Sequence, residues 1–172
     1  MSSNCSSVSS LPKGCECSSD PCANLLRILA CDGSFNTFLQ LLELAGLLCD
    51  VANRNAQTVF APTDDAFAQL PPATLAKLLL PANRAILKDV LLYHFLGRCE
   101  TTIAMSRAPP TVEQTLLVGK TLTVKLQLTA TATTVVVVVD QLNNTATIIE
   151  ADVQSGNGIA QYINRVLFPF IV

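Results

Sequence analysis

The chain has no Trp, two Tyr, a single His and few charged residues, with Asp, Glu, Lys and Arg making up 14% of its 172 residues. So few aromatic rings offer little for stacking nucleic-acid bases. The net charge of −2 lacks the positive footprint of a protein that binds nucleic acid or an anionic membrane. We therefore expect no nucleic-acid partner.

Long apolar runs are also missing, although half of the residues are hydrophobic. The stretch 38–48 is interrupted by Gln40 and Glu43, and the run Val135–Val139 is short. A membrane-spanning helix needs about 20 apolar residues, so we expect no membrane span. Residues 1–10 are polar and Ser-rich, so no signal peptide is visible in this chain.

Cysteine is abundant, with seven residues, of which five precede position 32. A metal knuckle at Cys15, Cys17 and Cys22 is disfavoured, because the spacers are short and the only His, His94, is far away. Disulfides, and hence an extracellular protein, are favoured. The pairing of the six candidates is left open, and Cys5 is expected to be unpaired or to bridge two chains. The six candidates are Cys15, Cys17, Cys22, Cys31, Cys49 and Cys99. Asn4 and Asn143 begin glycosylation sequons, so both are candidate glycosylation sites.

Hydrophobic periodicity predicts helices first and strands later, which is typical of an α+β fold. Residues 1–20 are expected to be a Ser/Cys-rich leader, and residues 21–172 a single domain. Helices are predicted from about Pro21, over Ser34–Ala45 with Gly46 ending it, briefly after Thr63, from Pro72 to Pro81, and over Arg84–Leu96. Strands are predicted over Thr121–Leu128, Thr133–Val139 and Thr147–Glu150, the second covered on both faces.

The spacing of apolar residues also predicts which side chains are buried. Leu75, Leu78 and Leu79 are expected to point inward from the helix after Pro72. His94 continues the buried stripe of Leu87, Val90 and Leu91, so we expect a core His satisfied by backbone or hydroxyl groups. Asp64 and Asp65 are expected to be first-turn residues that favour a helix dipole rather than catalytic or calcium-binding carboxylates.

Three blocks of the sequence resemble the fasciclin-type adhesion domain. The first is Thr58–Phe67, the second is Leu91-Leu92-Tyr93-His94-Phe95, and the third begins at Asn157-Gly158-Ile159 and continues through Ile163–Pro169. Their order fits one domain from about Cys22 to Pro169. In the third block the chain has Gln161 and Asn164 where the family usually has His and Asp, so properties that need those groups are in doubt.

The resemblance implies a wedge-shaped fold: a twisted β-sandwich of about seven strands with helices packed against it. It also implies that the third block is a strand, although Ile159, Tyr162, Ile163 and Val166 have helical spacing. Asn157-Gly158 is expected to supply a positive φ at the entry of that strand.

The function implied is a non-enzymatic extracellular domain of cell adhesion or matrix interaction, without a cofactor. Its partner is expected to be an extracellular or cell-surface protein or glycan, and self-association is a further expectation. Tyr93 and His94 are the candidate partner-binding residues, with Tyr93 the more exposed of the two. The alternative is a small-molecule or lipid-binding module, or a cofactor-free enzyme, on the same fold.

Overall fold

The computed structural model describes residues 25–54, 57–106, 110–128 and 134–171. Predictions about the leader 1–20, about Asn4 and about Cys5, Cys15, Cys17 and Cys22 lie outside these residues. The helices are α1 Leu25–Asp32, α2 Asn36–Ala45, α3 Leu48–Asn53, α4 Asp64–Ala68, α5 Pro72–Leu79, α6 Arg84–Tyr93 and α7 Thr102–Met105. The strands are β1 Gln57–Pro62, β2 Phe95–Leu96, β3 Thr111–Gln114, β4 Thr121–Leu128, β5 Thr134–Val139, β6 Thr145–Ser155 and β7 Gly158–Ile163.

Helix α2 is closed at both ends by hydrogen bonds. At its start, the Asp64 carboxylate accepts from the backbone N–H of Thr37 at 2.8 Å and of Asn36 at 3.3 Å. At its end, Gly46 adopts a left-handed φ of 72°, as predicted, and Leu47 N–H donates to Leu42 O at 2.9 Å. Asp64 therefore caps α2, a helix distant in sequence, whereas Thr63 caps α4, the helix that Asp64 begins.

Helix α6 is shorter than predicted. It ends at Tyr93, and Phe95–Leu96 leave the helix to pair with β1. The turn is held because His94 O accepts a hydrogen bond from Phe60 N at 2.9 Å. The prediction of a helix to Leu96 is wrong because contacts with β1, rather than local propensity, decide where the helix stops.

Two burial predictions are also corrected. On α5 only Leu78 is buried, whereas Leu75 is half-buried and Leu79 is 47% exposed. Strand β5 is covered only in part: Val137 and Val138 are buried, whereas Thr134 is exposed and Val135, Val136 and Val139 are half-buried.

The seven strands form one mixed sheet in the order β2-β1-β7-β6-β5-β4-β3. β1 and β7 are parallel, and every other pairing is antiparallel. The two edges meet, because Leu96 bridges Thr115 and Leu116 N donates to Phe95 O at 2.7 Å. The sheet is thus nearly closed into a barrel-like wedge with helices packed against it, which confirms the predicted α+β fold.

Residues Gly158–Ile163 of the third sequence block form strand β7, as the resemblance implies. All residues of this strand are buried. The expected positive φ at Gly158 is wrong, since the positive-φ glycines of the described residues are Gly33, Gly46 and Gly119. Gly158 is needed for a different reason: a Cβ there would lie 2.3 Å from Gln57 O. The glycine therefore permits close approach of β1 and β7.

Two apolar clusters fill the fold. The larger joins α1–α6 to β1 and β7 and includes Phe35, Phe38 and Phe95. The smaller lies inside the closed sheet and includes Phe60, Met105 and Leu122. Tyr93 packs in the smaller cluster, and the neighbouring His94 lies beside Phe38 of the larger one.

Candidate functional site

His94 is buried at the end of α6, with 1% of its surface exposed. Its Nδ1 lies 2.8 Å from Val90 O, and its Nε2 accepts from Leu167 N at 3.1 Å. A carbonyl only accepts and an amide only donates, so the ring is the neutral tautomer with hydrogen on Nδ1. Burial lowers the pKa of His94 to about 4. Both ring nitrogens are thus engaged by the backbone, in agreement with the interpretation of a satisfied core His.

Tyr93 is fully buried, and the expectation that it is exposed is wrong. Its hydroxyl donates to Thr121 O at 2.7 Å and accepts from Gln141 N at 3.1 Å. Burial raises the pKa of Tyr93 to about 12. In this conformation neither Tyr93 nor His94 can touch a partner directly, so any effect on recognition passes through the segments that they hold.

Asp140, in the turn after β5, completes this arrangement. It is 4% exposed and closes the β5–β6 turn by accepting from the backbone N–H of Leu142 at 2.9 Å and of Asn144 at 2.8 Å. It also accepts from Asn144 Nδ2 at 3.0 Å and from Phe168 N at 3.2 Å. We call Tyr93, His94 and Asp140 the anchor network, because together they bind β4, the β5–β6 turn and the C-terminal segment.

A second polar cluster lies between α7, β6 and β7. Asp152 Oδ1 accepts from Thr102 N and from Gln161 Nε2, each at 2.7 Å, and Gln161 Oε1 accepts from Asp152 N at 2.9 Å. Burial alone would raise the pKa of Asp152, but the hydrogen bonds from Gln161 and Thr102 outweigh it and lower the pKa. Gln161, where the family usually has His, therefore serves as an uncharged partner of Asp152.

Asn164, where the family usually has Asp, keeps a structural role. Its Oδ1 accepts from Thr147 N at 2.8 Å, and its backbone N donates to Thr147 O at 3.2 Å. Asn157 was singled out only for its turn, but its Oδ1 accepts from Leu25 N at 2.8 Å and its amide donates to Arg54 O at 3.1 Å. These contacts join distant segments, and no local sequence pattern indicates them.

The predicted disulfide cysteines within the described residues differ in whether they are paired. Cys31 and Cys99 are exposed free thiols, which corrects their assignment as paired residues. Cys99 lies just after β2, where its Sγ faces Gln57 O at 3.6 Å rather than another sulfur, and Cys31 lies in the last turn of α1. Cys49, on α3, is disulfide-bonded, and neither of these two is its partner.

Asn143, the other glycosylation candidate, lies in the exposed turn between β5 and β6 with a φ of 62°. Within the described ranges, no three His, Cys, Asp or Glu side chains are grouped so as to hold a metal ion. In the same residues no helix combines the length and apolar character needed to cross a bilayer.

Comparison with known proteins decides the family. The family model of the Fasciclin domain matches residues 33–169. The chain belongs to the fasciclin domain family. Protein sll1483 of Synechocystis sp. is 30% identical to it over 154 residues, which are 90% of this chain and 78% of that protein.

Other relatives carry the fasciclin domain as part of a longer protein. The Transforming growth factor-beta-induced protein ig-h3 of Oryctolagus cuniculus is 30% identical over 149 residues, which are 87% of this chain but only 20% of that protein. The solved FAS1 domain pair from the insect cell adhesion molecule Fasciclin I matches with a TM-score of 0.65 at 20% identity, covering 79% of this chain and 45% of that chain. This last likeness shows the fold.

Proposed function

We propose that this fasciclin domain is a non-enzymatic extracellular module that binds a protein or glycan partner through its surface, in cell adhesion or matrix interaction. The observation that carries the proposal is the state of its only imidazole: both nitrogens of His94 are bonded to backbone groups. A general base must have a nitrogen within reach of the proton it removes. Tyr93 is likewise committed to Thr121 and Gln141.

Adhesion is supported by the family, because Fasciclin I is named as a cell adhesion molecule. The proposal includes residues 21–172 as the domain, the leader 1–20, an extracellular location, disulfides of the N-terminal cysteines and Cys49, and glycosylation at Asn143 or Asn4. Tyr93 and His94 enter as residues that position the binding surface rather than contact the partner.

The test is adhesion of cells to surfaces coated with the purified chain, compared with the same chain heat-denatured before coating. Attachment to the native coat alone is expected. Equal attachment to both coats, or a stoichiometric small molecule that co-purifies in native mass spectrometry, would overturn the proposal in favour of the ligand-binding alternative. Alkylation without reduction tests the disulfides: Cys31 and Cys99 should be modified in the native protein and Cys49 should not.

A further inference from the structure

A shallow groove of about 250 Å³ lies between the end of α4, the β5–β6 turn and the C-terminal segment. We call it the C-terminal groove, and its lining includes Gln69, Leu70, Asn144, Arg165, Val166 and Phe168. We infer that this groove docks a segment of a partner protein that carries a carboxylate beside a large apolar side chain. The inference rests on the proposed function and names the surface and partner chemistry through which it would act.

The shape of the groove suits one protruding side chain. Val166 is buried, and Leu70 and Phe168 are half-buried, so they form an apolar floor, while Gln69, Asn144 and Arg165 are exposed at the rim. The volume of about 250 Å³ is below the range of about 300–1,000 Å³ that is usual for small-molecule pockets, so the groove suits a single side chain better than a whole ligand. An apolar floor with a polar rim is also the usual pattern of a small protein-recognition site.

The charge of the groove selects an anion. Among the described residues, Arg165 is the one charged side chain in the lining of the groove, and the ion pairs involve Arg98 rather than Arg165. A second depression, the α2–α6 groove, has Arg84 in its lining but also Glu43. Glu43 already supplies a carboxylate there, whereas the described lining of the C-terminal groove combines an apolar floor with Arg165 and contains no acidic residue.

The walls of the groove are held from below by the anchor network. Phe168 N and Asn144 N donate to the Asp140 carboxylate, and Leu167 N donates to His94. On the opposite wall, Gln69 Nε2 donates to Asn164 O at 3.3 Å. A site whose walls are already fixed loses less conformational entropy on binding. The Asp140 carboxylate beneath the groove accepts from four N–H donors, and its oxygens form no ion pair with Arg165.

A peptide fits this lining better than an acidic glycan. Leu70, Val166 and Phe168 offer aliphatic and aromatic surface that a sulfated or carboxylated sugar would leave in contact with polar groups. One cation is also a weak basis for binding a polyanion, whose affinity grows with the number of paired charges. We therefore treat glycan binding as an outcome that the experiment must separate.

The experiment is a titration of the ¹⁵N-labelled chain, followed by amide chemical shifts, with the peptides Ac-Ser-Leu-Asp-Ser-NH₂ and Ac-Ser-Leu-Asn-Ser-NH₂ and with heparin. The Asp peptide at millimolar concentration should shift the amides of Gln69, Asn144 and Arg165–Phe168. Arg165→Gln should weaken its affinity by about 5- to 10-fold, as expected for loss of one charge-assisted pair. The matched variant Arg84→Gln, in the α2–α6 groove, should leave the affinity unchanged.

Three results would overturn the inference: no shifts in the groove, equal binding of the Asp and Asn peptides, or an Arg165-dependent response to heparin without one to the Asp peptide. The adhesion assay separates this outcome from failure of the proposed function. If the parent chain supports adhesion and Arg165→Gln supports it equally, the docking role inferred for the C-terminal groove is wrong and the proposed function stands. If the parent does not support adhesion, the function fails, and the peptide titration still decides the groove.

Discussion

The anchor network and the Asp152 cluster both join segments that are distant in sequence, but the three anchor residues are buried whereas Asp152 is partly exposed. In the anchor network, side chains face backbone groups: Val90 O, Thr121 O and the N–H groups of Leu167 and Phe168. In the Asp152 cluster, Asp152 and Gln161 bond to each other and accept from the backbone N–H groups of Thr102 and Asp152; Gln161 is buried, but Asp152 is partly exposed. Truncating a side chain of the anchor network leaves buried backbone groups without hydrogen-bond partners. This costs more free energy than a change at Asp152, which water can reach. Stability should therefore depend far more on the first set of contacts.

The largest effect is expected for His94→Ala. Loss of the ring leaves Val90 O and Leu167 N without partners and opens a cavity beside Phe38, so we expect the free energy of unfolding to fall by about 3 kcal/mol. Chemical denaturation measures the loss, and faster hydrogen exchange at the Leu167 amide should accompany it. If the variant unfolds like the parent and yet loses partner binding, His94 acts in recognition rather than as an anchor.

Mild acid should reproduce much of that loss without mutation. The ordinary His pKa of 6.5 falls to about 4 in the folded chain, so the unfolded chain binds the extra proton first. The stabilisation is complete above pH 6.5 and is lost as the pH falls towards 4, with a decrease on the order of 2–3 kcal/mol by pH 4.5. Unfolding curves of the parent and of His94→Phe test this. A slope that persists in His94→Phe would assign the effect to other groups.

Tyr93→Phe should have a moderate effect. It keeps the aromatic ring in the core but removes the hydroxyl that joins Thr121 O to Gln141 N. We expect a loss of about 1.5 kcal/mol, because Thr121 and Gln141 lie near enough to the surface for water to satisfy part of what is lost. Thermal unfolding of this variant beside the parent gives the value. A loss larger than that of His94→Ala would reverse the order within the network.

Asp152→Asn should have the smallest effect of the four. The amide keeps one acceptor for Thr102 N, and solvent reaches the site, so we expect a loss of about 0.7 kcal/mol. The matched measurement is the same denaturation series with Tyr93→Phe. A greater loss from Asp152→Asn than from Tyr93→Phe would remove the distinction between the buried anchor network and the partly exposed Asp152.

Sequence reasoning succeeded where the cause of a structure is local. Gly46 ends α2 and Thr63 caps α4, because both act on residues within the same turn. The apolar stripe of Leu87, Val90 and Leu91 that places His94 inside is also local. It predicted that the ring is buried and that its nitrogens bond to backbone or hydroxyl groups. The strand at Gly158–Ile163 was obtained only from the family resemblance, since its apolar spacing fits a helix as well.

Sequence reasoning failed where a contact joins distant residues. Nothing near Tyr93 indicates that its hydroxyl meets Thr121 and Gln141, so the side chain was expected at the surface. In the same way, Asp64, which follows β1 in the sequence, caps α2, which precedes it. Arg165 lines a groove built from three separate segments. Such contacts exist only after the chain has closed, so local periodicity does not carry them.

The parallel pairing of β1 with β7 has a consequence for how the chain is made. Gln57 can pair with Gly158 only after Gly158 has been synthesised, so the ribosome must make every element from β2 to β6 before β1 gains its parallel neighbour. Contacts between such remote positions are formed slowly, because a large loop must close before they contribute. A nascent chain stalled ahead of Gly158 would leave β1 without this neighbour, so β7 is the strand whose synthesis allows the sheet to be completed.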